Sequence, residues 1–223
     1  MQLTVSAKQE SVEDRTGGMS FINTEGIFDI VLNFASISDT KNGAKSLNLN
    51  ITHNGNKQTI YGPTIQNRDG NQNEVGMSLI NKLSVIVGLG DGDVLETDME
   101  THEVGKDNKP QEFKVITNFS EMSCKIRTQR EYSKWDGKIQ ERLQIRNVFR
   151  EDGATAAEIL AGGEIGKQMA LELEKHCDAP YLNGVTQEEV DAFLANRSKG
   201  GNKGAAKAAT TGNIVDQKAA LFS

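Results

Sequence analysis

Basic side chains concentrate in the segment 124–150, which also holds Trp135, the only tryptophan of the chain. Two alternating stretches rich in Lys and Arg flank a short turn over 133–138. This pattern predicts a β-hairpin, because alternation places every second side chain on the same face of a strand. Cations along a groove with a few rings for stacking are what a single-stranded nucleic acid requires of a binding surface. The segment therefore predicts a hairpin that could hold an anionic strand.

The local excess of positive charge contrasts with a formal net charge of -6 for the whole chain. Two acidic stretches account for the difference: 91–107 carries seven acids and one base, and 151–191 carries ten acids and two bases. The rest of the chain is therefore basic. We expect 91–107 to be a solvated acidic insertion, since its spacing does not fit a calcium-binding EF-hand loop.

The elements that would position the hairpin can be predicted from periodicity. Apolar and polar residues alternate over 26–38, which predicts a long, half-buried strand. The pairs Asn42-Gly43 and Asn54-Gly55 mark two hairpin turns, so three strands form a meander. Residues 76–89 place apolar side chains at helical spacing and end in glycines, which predicts one helix. A short strand and the two arms of the basic hairpin follow.

Three strands, a helix and the two arms of the hairpin follow the order of the OB-fold, a five-stranded Greek-key barrel. The sequence thus predicts a mainly β fold with added helices: an OB barrel with a helix between strands three and four, and a C-terminal helical appendage. The hairpin turn and the loop 39–45 would lie where such barrels bind oligonucleotides. The predicted domains are an OB domain over 1–150, an acidic helical appendage over 151–196 and a flexible Gly/Ala/Lys tail over 197–223.

The chain resembles phage-encoded single-stranded DNA-binding proteins of the OB-fold type over about residues 20–150. The resemblance rests on the opening strand 25–31, the turn 40–45 that leads into Leu47-Asn48-Leu49, and the helix 77–83. It implies a protein that coats and protects single strands during phage DNA replication, recombination or repair without catalysing a reaction. Carried over by position, the DNA contacts would come from Lys41, Lys45, Lys125, Arg127, Arg130, Lys134, Trp135, Lys138, Arg142 and Arg146. Tyr61 and Tyr132 are further stacking candidates.

Other interpretations of the same residues remain open. The basic hairpin could be an ordinary solvated strand pair with scattered ion pairs. Trp135 could equally be a core ring or cap the turn, and Tyr61 or Tyr132 could close one end of the barrel. If about six phosphates are neutralised, the logarithm of affinity should fall with the logarithm of salt concentration at a slope near -4, from about 0.7 per contact.

Partners other than DNA are less defined by the sequence. Many proteins of the resembled class end in an acidic tail that recruits replication proteins, whereas 197–223 carries four lysines and one aspartate. The appendage 151–196, or the apolar end Leu221-Phe222, could take over that recruitment. One alternative function is a protein-interaction or virion-assembly module that uses the acidic helices. A second is a Mg²⁺-dependent nuclease that uses the acids of 91–98.

Enzymes and cofactors have little support in the sequence. No nucleophile-elbow or zinc-protease motif is present, and the three histidines show no metal-ligand spacing. We therefore expect no cofactor, no metal and no catalysis. No apolar run is long enough to cross a bilayer, so we expect a cytoplasmic protein with no membrane partner, and free thiols at Cys124 and Cys177. Homo-oligomers are compatible with the sequence.

Overall fold

A computed structural model describes residues 21–104, 109–175 and 179–200, without the side chains of 198–200. The described part is mainly β, with seven strands in one open mixed sheet and four helices. The strands are β1 (Gly26–Asp39), β2 (Lys45–His53), β3 (Asn56–Gln66), β4 (Thr97–Val104), β5 (Lys109–Trp135), β6 (Lys138–Arg150) and β7 (Tyr181–Asn183). The helices are α1 (Glu74–Ile86), α2 (Ala156–Ala161), α3 (Lys167–Lys175) and α4 (Gln187–Gly200).

The first three strands form the predicted meander. β1 pairs antiparallel with β2, and β2 pairs antiparallel with β3. Asn54 and Gly55 adopt positive φ angles of 48° and 75° in the turn between β2 and β3. These angles belong to a type I′ turn, whose twist matches that of the flanking strands and which favours Asn-Gly. The meander prediction is confirmed, although β3 extends past Pro63 to Gln66.

The main core lies on one side of this sheet, which we call its inner face. Alternate residues of the strands point there, and the largest fully buried aliphatic side chains of β1 and β2 are Leu32, Leu47, Leu49 and Ile51. Helix α1 packs its Leu79, Ile80 and Leu83 against this core. Its N-terminus is capped by Asn73, whose side chain accepts a hydrogen bond from the Gly76 amide. The predicted helix is therefore present.

Strand β5 is unusually long, with 27 residues, and organises the rest of the sheet. One edge of β5 pairs with β1 from Gly26 opposite Thr128 to Ile37 opposite Lys114. The other edge pairs with β4 near the start of β5 and with β6 near its end. The sequence predicted a short strand and a separate first arm of the basic hairpin here, with an acidic loop before them. Both predictions were wrong, because 97–104 forms β4 and β5 runs without a break through Glu121, which takes a φ of 51°.

The acidic appendage packs against both faces of the β5–β6 hairpin. Met169 and Leu173 of α3 join Ile27 and Phe149 on the outer face, the side of the sheet opposite the main core. Gly153 lies beside this contact with a φ of 89°, and a Cβ there would lie 2.8 Å from the terminal methyl of Met169. Val190 of α4 is buried with Tyr132, which continues the inner phase of β5 beyond the core. The appendage also supplies β7, which pairs parallel with β5.

The prediction of a mainly β fold with added helices is confirmed. The hydrogen bonding does not form the predicted closed five-stranded barrel. The sheet follows the open path β3-β2-β1-β5, and β5 then pairs with both β4 and β6. The appendage contains helices, as predicted, and the start of α4 is capped by Thr186 and Glu189, whose side chains accept hydrogen bonds from each other's backbone amides. Helix α4 runs to Gly200, past the start of the flexible tail predicted for 197–223, and the rest of that prediction falls on residues outside the described part. None of the described helices is long and apolar enough to span a membrane.

Candidate nucleic-acid interface

The tip of the β5–β6 hairpin is a tight two-residue turn. Trp135 pairs with Lys138, and the two residues between them, Asp136 and Gly137, have φ angles of 49° and 69°. Glycine adopts such angles without cost, and aspartate tolerates them better than most residues. The turn therefore fixes the direction of the neighbouring side chains. Trp135 is 77% exposed there, which is unusual for the largest apolar side chain.

The outer face of the hairpin carries a line of exposed or half-buried polar groups that starts at Trp135. The strand register places Trp135 beside Lys138, Ser133 beside Gln140, and Glu131 beside Arg142. Because alternate residues share a face, these side chains all lie on the outer face. Lys138 and Arg142 are exposed, and neither takes part in an ion pair within the described residues. We call this set, with Gln144 and Arg146, the outer strip.

Tyr181 joins the outer strip through β7 and was not predicted from the sequence. Its backbone pairs with Glu131, and the guanidinium of Arg146 lies 4.8 Å from the centre of its ring. The ring is 46% exposed. Glu131 holds this end of the strip together, since it accepts hydrogen bonds from Arg146 at 3.1 Å, from Asn183 at 2.8 Å and from Gln144. The signal available in the sequence was only a short Tyr-Leu-Asn segment after Pro180, too short to place.

Six of the nine predicted cations are neutralised by ion pairs. Two of these cations have partners in the appendage: Arg127 pairs with Glu172 and Lys134 with Glu189. The other four have partners in the sheet or, for Glu25, just before β1: Lys45 with Asp39, Lys125 with Asp29, Arg130 with Glu25 and Glu141, and Arg146 with Glu131. Lys41, Lys138 and Arg142 remain without an acidic partner in the described part of the chain. The positive charge available to a ligand is therefore much smaller than the sequence count suggests.

The Arg127 pair is the most buried of these. The Arg127 guanidinium donates to Glu172 of α3 at 2.9 Å, and the side chains are only 12% and 7% exposed. Asn147 donates to the second carboxylate oxygen of Glu172 at 2.9 Å. The carboxylate is therefore held by hydrogen bonds on both oxygens, which is the condition for a charge to be tolerated away from water. In this structure Arg127 fixes α3 and is not presented to a ligand.

Three further candidates lie on the inner face near the tip, beneath α4. Tyr132 is only 3% exposed and contacts Val185 and Val190, so its ring is not presented for stacking. Burial opposes the charge of Arg130, but a hydrogen bond with Tyr132 and the nearby carboxylates raise its pKa above the usual value. Lys134 donates to Glu189 at 2.6 Å, and this bond is the main reason why the pKa of Glu189 is lowered.

The remaining candidates lie away from the hairpin tip. Lys41 is exposed in the loop between β1 and β2, and Lys45 at the start of β2 donates to Asp39 at 2.7 Å, which lowers the pKa of that carboxyl. Along the β1–β5 ladder this loop lies near Lys114, at the end opposite Thr128 and the tip. Tyr61 on β3 is 76% exposed. The structure therefore groups Trp135, Lys138, Arg142 and Arg146, and separates them from these three.

The described residues contain no group of three or more His, Cys, Asp or Glu side chains that could hold a metal ion. His53 bonds the Asp29 carbonyl oxygen at 2.7 Å, and His102 bonds Glu100 at 2.7 Å while stacking on Phe34. His176 and Cys177 lie outside the described residues. Cys124 is a free, buried thiol.

Comparison with known proteins gave no assignment: no model of a protein family matches the chain, and no curated protein matches it.

Proposed function

We propose that the chain binds single-stranded DNA without sequence preference, through the outer strip of the hairpin. The observation that carries the proposal is Trp135, which is 77% exposed beside a tight turn and shares its face with Lys138 and Arg142. Leaving an indole in water forgoes about 1.5 to 3 kcal/mol of burial free energy, by analogy with other large apolar side chains. A stacked base would recover that surface.

The strip supplies two kinds of contact that suit a single strand. Any base can stack on Trp135, and on Tyr181 if the base lies beside Arg146, because every base has a flat π face. Lys138 and Arg142 can pair with phosphates, which carry no sequence information. The glutamine side chains of the strip, Gln140 and Gln144, can donate hydrogen bonds to phosphates and can donate or accept them at bases. None of these contacts requires catalysis, which accords with a protein that coats and protects strands in phage DNA replication, recombination or repair.

We also infer that the strands of this open sheet are connected in the same order as those of an OB-type barrel. β1 to β3, α1, β5 and β6 follow the OB order, and β1 pairs with both β2 and β5. β3 contacts β6, and α1 contacts both strands, so the two ends of the path approach each other. In this assignment β5 and β6 are strands four and five, and β4 with the first part of β5 is an added arm. The hairpin tip is then the loop between strands four and five.

The intrinsic fluorescence of the unique tryptophan tests the proposal directly. Titrating the protein with oligo-dT should quench or shift the Trp135 emission, with saturation. The same titrations with duplex DNA and with oligo-U report the preference for single strands and for DNA over RNA. Binding without any change in emission would contradict stacking at Trp135. Cleavage of labelled DNA in the presence of Mg²⁺ would contradict a function limited to binding.

The salt dependence of binding tests how many cations are available. The sequence count of about six phosphates predicts a slope near -4, whereas the two unpaired cations of the outer strip, Lys138 and Arg142, give a slope near -1.4, at about 0.7 per contact. Because six of the nine predicted cations already have acidic partners, we expect the smaller value. A slope near -4 would mean that ion pairs such as Lys134 with Glu189 open when DNA binds. Absence of salt dependence would contradict phosphate contacts altogether.

A further inference from the structure

The outer edge of β4 is unpaired within the described residues. β4 is the last strand of the path β3-β2-β1-β5-β4, and its eight residues pair only with β5. The opposite end of the path is better covered: the Asn73 amide bonds the Ile65 carbonyl oxygen at the edge of β3, and Gln58 of β3 bonds both backbone groups of Ile22. The edge of β3 is therefore covered by more hydrogen-bonding groups than the outer edge of β4.

The register shows which backbone groups of β4 face outward. The Thr117 amide donates to the Glu96 carbonyl oxygen, so position 96 is hydrogen-bonded to β5. Bonded residues alternate in an antiparallel ladder, which leaves the amides and carbonyls of Thr97, Met99, Thr101 and Glu103 on the open edge. The Met99 amide agrees with this assignment, because it donates to the side chain of Asp98 instead of to β5. An open row of alternating donors and acceptors is the surface that an added strand uses.

The charges of β4 restrict what can pair with this edge. The strand carries Asp98, Glu100 and Glu103, no lysine or arginine, and one histidine, His102, which bonds Glu100. Asp98 and Glu100 lie on one face and Glu103 on the other, so an added strand would meet carboxylates on both faces. A second copy of β4 would bring three acids against three acids, which destabilises cross-strand pairs. A basic strand would meet opposite charges instead.

We propose that the outer edge of β4 binds an extended basic peptide segment of a partner protein by strand addition. Backbone hydrogen bonds at Thr97, Thr101 and Glu103, together with the Met99 carbonyl, provide the affinity. The carboxylates of Asp98, Glu100 and Glu103 select lysine or arginine side chains. The proposal does not depend on DNA binding, since β4 and the hairpin tip lie near opposite ends of β5.

Hydrogen exchange of the free protein, followed by NMR, is the first test. The amides of Thr97, Thr101 and Glu103 should exchange fast, and those of Asp98, Glu100 and His102 should exchange slowly because they bond β5. Slow exchange of both sets would mean that the edge is already occupied, and would overturn the proposal. Sedimentation of the protein alone tests the remaining occupant: a dimer that Thr101→Pro dissociates would show that a second copy takes the edge, which would also overturn it.

A direct binding test uses a blocked eight-residue peptide that alternates lysine with valine and threonine. Two isomers of it carry N-methyl groups at alternate residues, each in one of the two possible phases. Strand addition uses only one edge of the peptide, so one isomer should bind like the parent and the other should lose at least about tenfold in affinity. Equal binding of both isomers, or no binding by the parent peptide, would overturn the proposal.

A pair of substitutions at Thr101 identifies the edge. Proline is tolerated where a strand amide faces away from its sheet, so Thr101→Pro should leave the pairing with β5 intact while blocking the added strand. We expect it to weaken peptide binding at least about tenfold, the scale of a lost backbone hydrogen bond with a steric block. Thr101→Ala is the matched control and should bind like the unmodified protein. Unchanged binding by Thr101→Pro, with the fold verified by its NMR spectrum, would place the peptide elsewhere and overturn the proposal.

Discussion

At the base of the β5–β6 hairpin the Arg127 side chain is 12% exposed and bonded to Glu172, whereas at the tip Trp135 is 77% exposed. The two positions are eight residues apart on the same outer face of β5. α3 covers the base, and its apolar residues Met169 and Leu173 pack on Ile27 and Phe149. No described helix covers the outer face at the tip. One strand therefore carries a structural arginine and an exposed ring on the same side.

The difference shows that positive charge in a sequence is not the same as positive charge presented to a ligand. Two of the ten acids of 151–191, Glu172 and Glu189, turn towards the hairpin and neutralise Arg127 and Lys134. They leave Lys138 and Arg142 without acidic partners among the described residues. The appendage thus decides which part of the basic hairpin a nucleic acid could reach.

The largest expected effect follows from breaking the ion pair between Arg127 and Glu172 at the base of the hairpin. Glu172→Ala leaves the Arg127 guanidinium buried without this carboxylate and removes an acceptor of Asn147. Breaking one side of a buried ion pair costs about 3 to 5 kcal/mol, so the free energy of unfolding should fall by that amount in urea denaturation. The affinity of the remaining folded protein for oligo-dT should stay close to that of the unmodified protein.

The double variant Arg127→Met with Glu172→Leu is the control for this prediction. Apolar side chains of similar volume can replace a buried ion pair at little cost, so this variant should recover most of the lost stability. If it bound oligo-dT at least tenfold more weakly than Glu172→Ala does, Arg127 would have to contact DNA, and the assignment of the base as structural would be wrong.

The second prediction concerns the tip, where a substitution should weaken DNA binding and leave stability almost unchanged. Trp135→Ala removes the exposed ring, and the loss of one stacked base should weaken oligo-dT binding by about 1 to 3 kcal/mol. The free energy of unfolding should change by less than about 0.5 kcal/mol, as for other exposed positions. Fluorescence anisotropy of a labelled oligonucleotide measures the binding, with Trp135→Phe as the control that keeps a stacking ring. Equal losses for the alanine and phenylalanine variants would argue against stacking.

Much of the fold was predictable because its signals are local. The Asn54-Gly55 turn, the alternation along β1 and the helical spacing of α1 each determine structure within a few residues. β4 was missed because its acids and threonines resemble a solvated loop; it becomes a strand through its pairing with β5. The length of β5 was missed for the same reason, since only its neighbours β1, β4 and β6 keep 27 residues extended.

The candidate site was predictable in composition but not in arrangement. Sequence alternation correctly placed Arg127 and Arg142 on one face of their strands, yet it could not show that α3 would bury the first of them. Tyr132 and Trp135 were both stacking candidates in the sequence, but they lie on opposite faces of β5, and α4 covers only the face of Tyr132. Tyr181 lies 46 residues further along the chain than Trp135, and only the parallel pairing of β7 brings it to the hairpin.

The third prediction concerns how the free energy of unfolding depends on pH, through the buried thiol of Cys124 at the base of the hairpin. Burial raises the pKa of the Cys124 thiol from 9.0 to about 12, and the charge of Asp29 adds to the shift. The unfolded chain would lose this proton above about pH 9 while the folded protein keeps it, so stability should fall as pH rises between these values, by about 1.4 kcal/mol per pH unit. Urea denaturation of the unmodified protein and of Cys124→Ala over this range should give a steeper decline for the former. Parallel declines would contradict the raised pKa.

The smallest effect concerns the exposed ion pair beneath the tip. The hydrogen bond from Lys134 lowers the pKa of Glu189 below its ordinary value of 4.5. A lowered pKa means that the pair stabilises the docking of α4 above about pH 4.5 and that this contribution is lost as pH falls through the folded value. Lys134→Ala should raise the Glu189 midpoint in a carboxyl NMR titration, though only in part, because the Thr186 amide still donates to Glu189 at 3.1 Å. Lys138→Ala, on the opposite face, should leave the midpoint unchanged; an equal shift in both variants would mean that general charge at the tip, and not this contact, sets the pKa.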